Sequence, residues 1–417
     1  MTININKNYA IYIVTSAISG GLNLLSVILF VDFFGESVYG DYTLLFVLST
    51  VISLFLSAPA NQLLFRFLPE FETNYLITSL VYNYLIFSFF GASSCFVIVW
   101  LNKGEVLHGL LTGYALIVMG IYQIHIAYLQ SKLLVLQYLC LEITRSLVYF
   151  LLPFLIYFFF NIANVYNILM SLNVSFSINL IIICISNQLK VRSMLKLNFV
   201  DIIYYIYRKN YILNYIWPLI FWFLFAQLLN FTDRFIISKF FTQKEVGYYS
   251  AIYDVFYKGI SLLLTPISLI YYPILVRLYK ENDYVSIDKV IQKGIMYQTA
   301  IFLSVCVILR IATNDKIITY LPVFMRENDF YYLAISIISG AFFWQISILV
   351  QKKLELLIMT KIMLMCCIIS FFFNIFLNII LLKTGVLFYA GINTSITSLI
   401  YFILIYYNSW KYWRKLS

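Results

Sequence analysis

Twelve apolar runs, each near the length of about 20 residues that a helix needs to cross a bilayer, take up most of this sequence. They lie at 9–31, 42–65, 75–101, 108–130, 143–160, 164–186, 212–238, 247–270, 291–312, 330–350, 356–382 and 386–408. Hydrocarbon offers no partner to a backbone N–H or C=O, so each run must close its own hydrogen bonds as a helix. Composition agrees with that reading. Hydrophobic residues make up 63% of the chain and charged residues 11%, against about 25% charged in a soluble domain. The expected fold is an all-α membrane protein with about 12 transmembrane helices. The first run follows a single lysine, and no small-residue cleavage site comes after it, so it reads as a retained span rather than a signal peptide. The six cysteines fall in or beside apolar runs without metal-ligand spacing, and read as small buried apolar residues.

The basic residues assign the two sides. Nineteen of the 28 Lys and Arg fall in alternate loops counted from the N-terminus, seven in the opposite loops, and two, Arg234 and Lys258, within spans. The bias places both termini in the cytoplasm of a multi-pass protein, and it accounts for the net charge of +10 without nucleic acid as a partner. The longest hydrophilic break is 187–211, a cytoplasmic basic linker. Its second half, LNFVDIIYYIYR, is either an interfacial helix on anionic lipid or plain linker. That break divides the chain into an N-terminal six-helix bundle, 1–186, and a C-terminal one, 212–417.

An ungapped shift of 207 residues aligns Asn23 with Asn230, Phe33-Phe34 with Phe240-Phe241, Gly40 with Gly247, Tyr42 with Tyr249 and Pro59 with Pro266. Six helices per repeat give both halves one orientation, as in transporters built from parallel halves, with the cargo path expected between them.

Ionisable residues inside spans are the chemistry-bearing ones. A charge at the centre of a spanning helix costs about 2.5–3.5 kcal/mol on insertion scales. The stretch 226–277 holds Asp233, Arg234, Asp254 and Lys258. Spans seven and eight form a hairpin whose turn lies near 243–244. Arg234 and Asp254 lie about ten residues on either side of it, at matched depth for a cross-helix pair. Asp254 and Lys258, at i and i+4, share a face. If Arg234 takes Asp254, Lys258 is left for an anion; if not, Asp254 neutralises Lys258. Asp233 is expected in the same charge pairing. Glu142 and Arg145 begin span five and pair at the interface. Arg66, at the cytoplasmic end of span two, is either a snorkelling boundary arginine or a group that admits a diphosphate. His125 reads as a packing residue, Asp32, Glu36 and Asp41 as a solvated turn, and Pro153 and Pro218 as kinks in spans five and seven.

The segment TDRFIISKFFTQKEVGYYSAIYDV resembles helices seven and eight of the polysaccharide (O-antigen) flippases, Wzx-type, of the multidrug/oligosaccharidyl-lipid/polysaccharide (MOP) exporter superfamily. GESVYGDYTLLF, with Pro59 and Arg66 after it, resembles the matching part of the first half. The resemblance implies a MOP/MATE-like fold, a V-shaped pair of six-helix bundles around a cationic cavity. It also implies a cargo of undecaprenyl-diphosphate-linked oligosaccharide moved from cytoplasm to periplasm across a bacterial inner membrane. Lys258, Arg234 and Arg66 are the expected substrate-binding residues, with H⁺ or Na⁺ as coupling ion and other polysaccharide assembly proteins as partners. The stretch Tyr9–Val31 carries no basic residue, a departure from a strongly cationic cavity. No Gly-rich phosphate loop and no metal spacing point to an enzyme or to a cofactor. The rivals are a multidrug cation antiporter of the same superfamily, which wants net acid inside, and an O-antigen polymerase or ligase, which wants a long external loop.

Overall fold

The computed structural model describes residues 5–67, 73–185, 210–314, 317–327 and 329–414. Among them, twelve helices are long and apolar enough to cross a membrane. They are α1 (Ile5–Phe34), α2 (Glu36–Phe67), α3 (Thr73–Lys103), α4 (Val106–Ser131), α5 (Val135–Phe160), α6 (Val165–Ile185) and α7 (Asn210–Phe240). The rest are α8 (Gln243–Lys280), α9 (Tyr284–Ala312), α10 (Phe330–Leu356), α11 (Thr360–Leu382) and α12 (Phe388–Trp413). The all-helical expectation and the count of twelve both hold. Most helices overrun their apolar runs, because polar residues at a span's ends still propagate a helix into the interface, whereas α6 and α11 stay within theirs. Pro59, Pro153, Pro218, Pro266 and Pro273 sit inside helices without ending them. Large apolar side chains stand exposed on helix faces, Phe89, Phe90, Phe158, Phe159 and Phe160 among them. Such patches belong against lipid rather than water. Cys95, Cys366 and Cys367 are buried as expected, while Cys140 and Cys184 are exposed on these faces.

Helices are joined by tight turns that need a left-handed residue. Gly35, Gly104 and Gly385 supply it in three of them, and Leu133, Asn161, Asn282 and Ile358 in four more. At Leu133, Asn282 and Ile358 the next N–H reaches back to close a Schellman-type end. Thr242 caps α8 through a full capping box with Glu245, which fixes the α7–α8 hairpin.

The chain packs as two compact units, cut differently from 1–186 and 212–417. One comprises Met1–Ser26 with Asp41–Leu224, the other Val27–Gly40 with Phe225–Ser417. In the first, α4 packs on α3, α5 and α6. In the second, α10 packs on α8, α9 and α12, and α11 on α12. The α1–α2 tip joins the second unit for a local reason. Gly40 and Gly247, equivalent under the 207-residue repeat, meet backbone to backbone. A Cβ on Gly247 would meet the Glu36 carbonyl oxygen, and one on Gly40 would meet the Gln243 carbonyl oxygen. Only glycine permits so close a crossing of two helices. Glu36, expected in a solvated turn, lies 3.6 Å from Lys244 there. The linker expected at 187–211 and its interfacial helix lie, up to residue 209, outside the described residues.

Candidate functional site

The four residues singled out in 226–277, Asp233, Arg234, Asp254 and Lys258, fall into two separate clusters in the second unit. The first is built on Asp254. Arg234 Nη2 of α7 donates to its Oδ1 at 2.5 Å. Lys258 Nζ lies 2.9 Å from the same oxygen. The Tyr39 hydroxyl, from the α1–α2 tip, donates to Oδ2 at 2.7 Å. Both sequence alternatives are thus realised together: Asp254 holds Arg234 and Lys258 at once, so Lys258 is not left over. The carboxylate carries one negative charge against two cations, and the cluster is net positive.

Burial divides its members. Arg234 is 0% exposed and Asp254 2%. The Lys258 side chain is 45% exposed. The Arg234 guanidinium lies over the rings of Phe231 and Tyr253, each 5.4 Å from centroid. Its Nε and Nη1 make no hydrogen bond among the described residues. Arg234 therefore acts on Asp254, and Lys258 is the base that reaches open surface. Asp254 stands in a π-helical turn, Tyr253–Tyr257, set into α8, and Lys258 opens the α-helix after it. A π turn inside an α-helix is rare and recurs at functional sites. Within it the Tyr253 and Tyr257 rings stack at 4.6 Å, and the Tyr253 hydroxyl donates to Asn230 Oδ1 at 3.2 Å.

The second cluster corrects the expectation for Asp233, which makes no ion pair among the described residues. The cause is helical geometry: Asp233 and Arg234 are adjacent on α7, so their side chains leave the helix in directions about 100° apart. Asp233 faces α11 and α12 instead. Its Oδ1 accepts from Asn378 Nδ2 at 2.6 Å. Its Oδ2 accepts from the hydroxyls of Tyr249 and Thr394, each at 3.0 Å. Asn378 Nδ2 also donates to Asn374 Oδ1 at 3.2 Å, and Asn393 Nδ2 to the Asn374 carbonyl at 3.1 Å. Every side chain of this nest is buried. Asn374, Asn378, Thr394 and Tyr39 were not singled out from sequence. The signal for the first two was present: two asparagines four apart in FFFNIFLNII share one helix face.

In the first unit Glu142 and Arg145 pair at 2.9 Å. They do not begin their helix. α5 starts at Val135, two turns earlier, and the Arg145 guanidinium lies over the rings of Tyr122 and Phe176. His125 is buried in α4. The Arg66 side chain lies outside the described residues. Among the described residues no three His, Cys, Asp or Glu side chains gather to hold a metal ion.

No protein-family model matches the chain, and no curated protein matches it at a significant level. Solved structures do match. The inward-facing conformation of a multidrug resistance MATE family transporter of the MOP superfamily has a TM-score of 0.69 at 12% identity, covering 95% of each chain. An outward-facing conformation of such a transporter has a TM-score of 0.59 at 12% identity, covering 100% of this chain and 97% of that one. A MOP superfamily transporter from Pyrococcus furiosus, described as having a binding pocket of reverse polarity that suggests a different function, has a TM-score of 0.61 at 11% identity. It covers 98% of this chain and 96% of that one. The chain thus has the twelve-helix fold of MATE-type transporters of the MOP superfamily. At these identities the likeness is one of fold.

Proposed function

We propose that this protein is a flippase that moves an undecaprenyl-diphosphate-linked oligosaccharide, an O-antigen or capsule repeat unit, from the cytoplasmic to the periplasmic face of a bacterial inner membrane. Transport runs by alternating access, with both termini cytoplasmic and H⁺ or Na⁺ as coupling ion. The observation that carries the reading is the net-positive Arg234–Asp254–Lys258 cluster, with Lys258 alone half-exposed within a span. An ammonium at that depth must face protein or a wet cavity rather than lipid. As a compact, strongly hydrated point charge it suits a phosphate. Arg234 and Tyr39 hold Asp254 in place, which sets the position of Lys258, and Arg66 serves at the cytoplasmic entrance. The inward-facing and outward-facing conformations known for the fold support alternating access.

A multidrug cation antiporter would draw on Asp233 and Asp254. Both are sealed, at 1% and 2% exposure, whereas the accessible charge is basic. That favours an anionic cargo, and pocket polarity is the feature on which a different function was suggested for the Pyrococcus furiosus protein.

Complementation tests the reading. Lys258→Ala is expected to reach the membrane at near-normal level yet fail to restore surface polysaccharide in a deletion strain. Lys258→Arg keeps the charge and should restore part of it. Full surface polysaccharide at normal Lys258→Ala levels removes Lys258 from the mechanism.

A further inference from the structure

The Glu142–Arg145 pair of the first unit differs from the Asp254 cluster in charge and in access. It lies well inside a span: Arg145 is about 15 Å along α5 from Val135 by the helical rise. Tyr138, Glu142, Arg145 and Tyr149, spaced four, three and four apart, share one face of α5. The exposed apolar side chains of Leu136, Leu147, Leu151, Leu155 and Phe158 take the opposite face. An ion pair within a span faces protein or a wet cavity, so the apolar face of α5 is the one that meets lipid.

Neighbouring helices hold the polar face in place. The Tyr138 hydroxyl faces Ser16 of α1 and Gln130 of α4. The Tyr149 and Tyr42 hydroxyls lie 2.8 Å apart, which ties α5 to α2. The Arg145 guanidinium lies 5.9 Å from the Tyr122 ring centroid on α4 and 5.6 Å from that of Phe176 on α6. The pair itself is only partly used by the protein. Arg145 donates through Nη2 alone, to Glu142 Oε2 at 2.9 Å and to Ser146 Oγ at 3.4 Å. Among the described residues its Nε and Nη1 reach no acceptor, and Glu142 Oε1 receives no donor. The Tyr122 hydroxyl lies beside both side chains but in hydrogen-bond geometry with neither. Neither charged side chain is sealed. Arg145 is 16% exposed and Glu142 15%, against 0% for Arg234.

A carboxylate oxygen and guanidinium N–H groups thus lie side by side, partly accessible and without net charge. A phosphate would meet the Glu142 carboxylate, and a cation would meet the Arg145 guanidinium, so neither is served. An apolar ligand would cover both groups without pairing them, at the cost of their hydration. The fitting ligand donates and accepts together, and a hydroxyl does both. One sugar hydroxyl can donate to Glu142 Oε1 while its neighbour accepts from Arg145. We infer that Glu142 and Arg145 form a carbohydrate subsite, which takes sugar hydroxyls of the lipid-linked glycan while Lys258 serves its diphosphate. This role rests on the flippase reading above and extends it to the sugars.

The test uses the glycan freed from its lipid. Lipid-linked glycan is extracted from the deletion strain and its sugar–phosphate bond is cleaved with mild acid. The freed oligosaccharide is then titrated against the full-length protein in lipid nanodiscs by saturation-transfer-difference NMR. It should bind the wild-type protein, and inorganic pyrophosphate should not displace it. Glu142→Asp shortens the reach of the acceptor, and Arg145→Lys removes the planar fork while keeping the charge. Each should weaken binding by about tenfold or more. Reversal of the pair, Glu142→Arg with Arg145→Glu, keeps an ion pair at i and i+3 and so satisfies a purely structural role. The reversed protein should reach the membrane at normal level and bind no glycan; the two single variants decide the matter if it fails to assemble. Wild-type affinity in the single variants or in the reversed pair, displacement by pyrophosphate, or no binding to the wild-type protein overturns the subsite and leaves the flippase reading standing. A deletion strain that accumulates no lipid-linked glycan overturns the flippase reading, and the subsite with it.

Discussion

Asp254 receives Arg234, Lys258 and Tyr39 on one carboxylate. Removing one side of a buried ion pair costs about 3–5 kcal/mol, because the charge left behind is the expensive species. Asp254→Asn strands two cations, but not equally. Arg234 is sealed, whereas half-exposed Lys258 can bend its stem towards water. Membrane levels of Asp254→Asn should therefore fall, recover largely when Arg234→Met is added, and recover less when Lys258→Met is added instead. Equal levels in the single and both double variants would contradict the pairing. This cluster was legible in the sequence because charges are rare in apolar spans, and depth about the hairpin turn put Arg234 opposite Asp254. Tyr39 was not legible: one tyrosine among 36 carries no signal. The Asp233 nest was missed because its partners are neutral, and two of them, Asn378 and Thr394, lie 145 and 161 residues along the chain.

At the scale of the element, α8 is defined by three local devices. The Thr242–Glu245 box starts it, Gly247 lets it cross the start of α2, and the π turn at Tyr253–Tyr257 presents Asp254 and Lys258. Gly247 was legible through the repeat match with Gly40, though not the fact that the two matched glycines touch. The π turn has no sequence mark, since it depends on the tertiary contacts that pull Asp254 towards Arg234 and Tyr39. Gly247→Ala forces a Cβ onto the Glu36 carbonyl and the Gly40 N–H, both backbone groups that cannot rotate away. Overpacking of this kind costs about 1–3 kcal/mol. Gly21 in α1 has nothing within 4 Å of its would-be Cβ. Replacing it with alanine instead gains helix propensity of about 0.5–1 kcal/mol. Thermal unfolding of the purified protein should show Gly247→Ala melting below wild type and Gly21→Ala at or above it. Gly247→Ala melting with wild type would mean that the crossing of α2 and α8 is loose.

Across the whole molecule, the two halves share a repeat and differ in charge. By the shift of 207 residues, Asp233, Arg234, Asp254 and Lys258 correspond to Ser26, Val27, Val47 and Val51. The buried charges of this hairpin are thus a property of the second half alone. The helix count came directly from sequence, because hydrocarbon leaves a 20-residue apolar run no other structure. The compact units did not, because the α1–α2 tip joins the second unit through backbone crossing at glycine and through Tyr39, neither of which changes hydropathy. Cargo identity is the step furthest from the fold. Lipid-linked glycans should be extracted from a deletion strain, and their sidedness measured with a membrane-impermeant probe of inverted and right-side-out vesicles. An undecaprenyl-diphosphate-linked oligosaccharide is expected to build up on the cytoplasmic face and to be cleared by the wild-type gene but not by Lys258→Ala. Accumulation on the periplasmic face, or no accumulation together with intact surface polysaccharide, would contradict it.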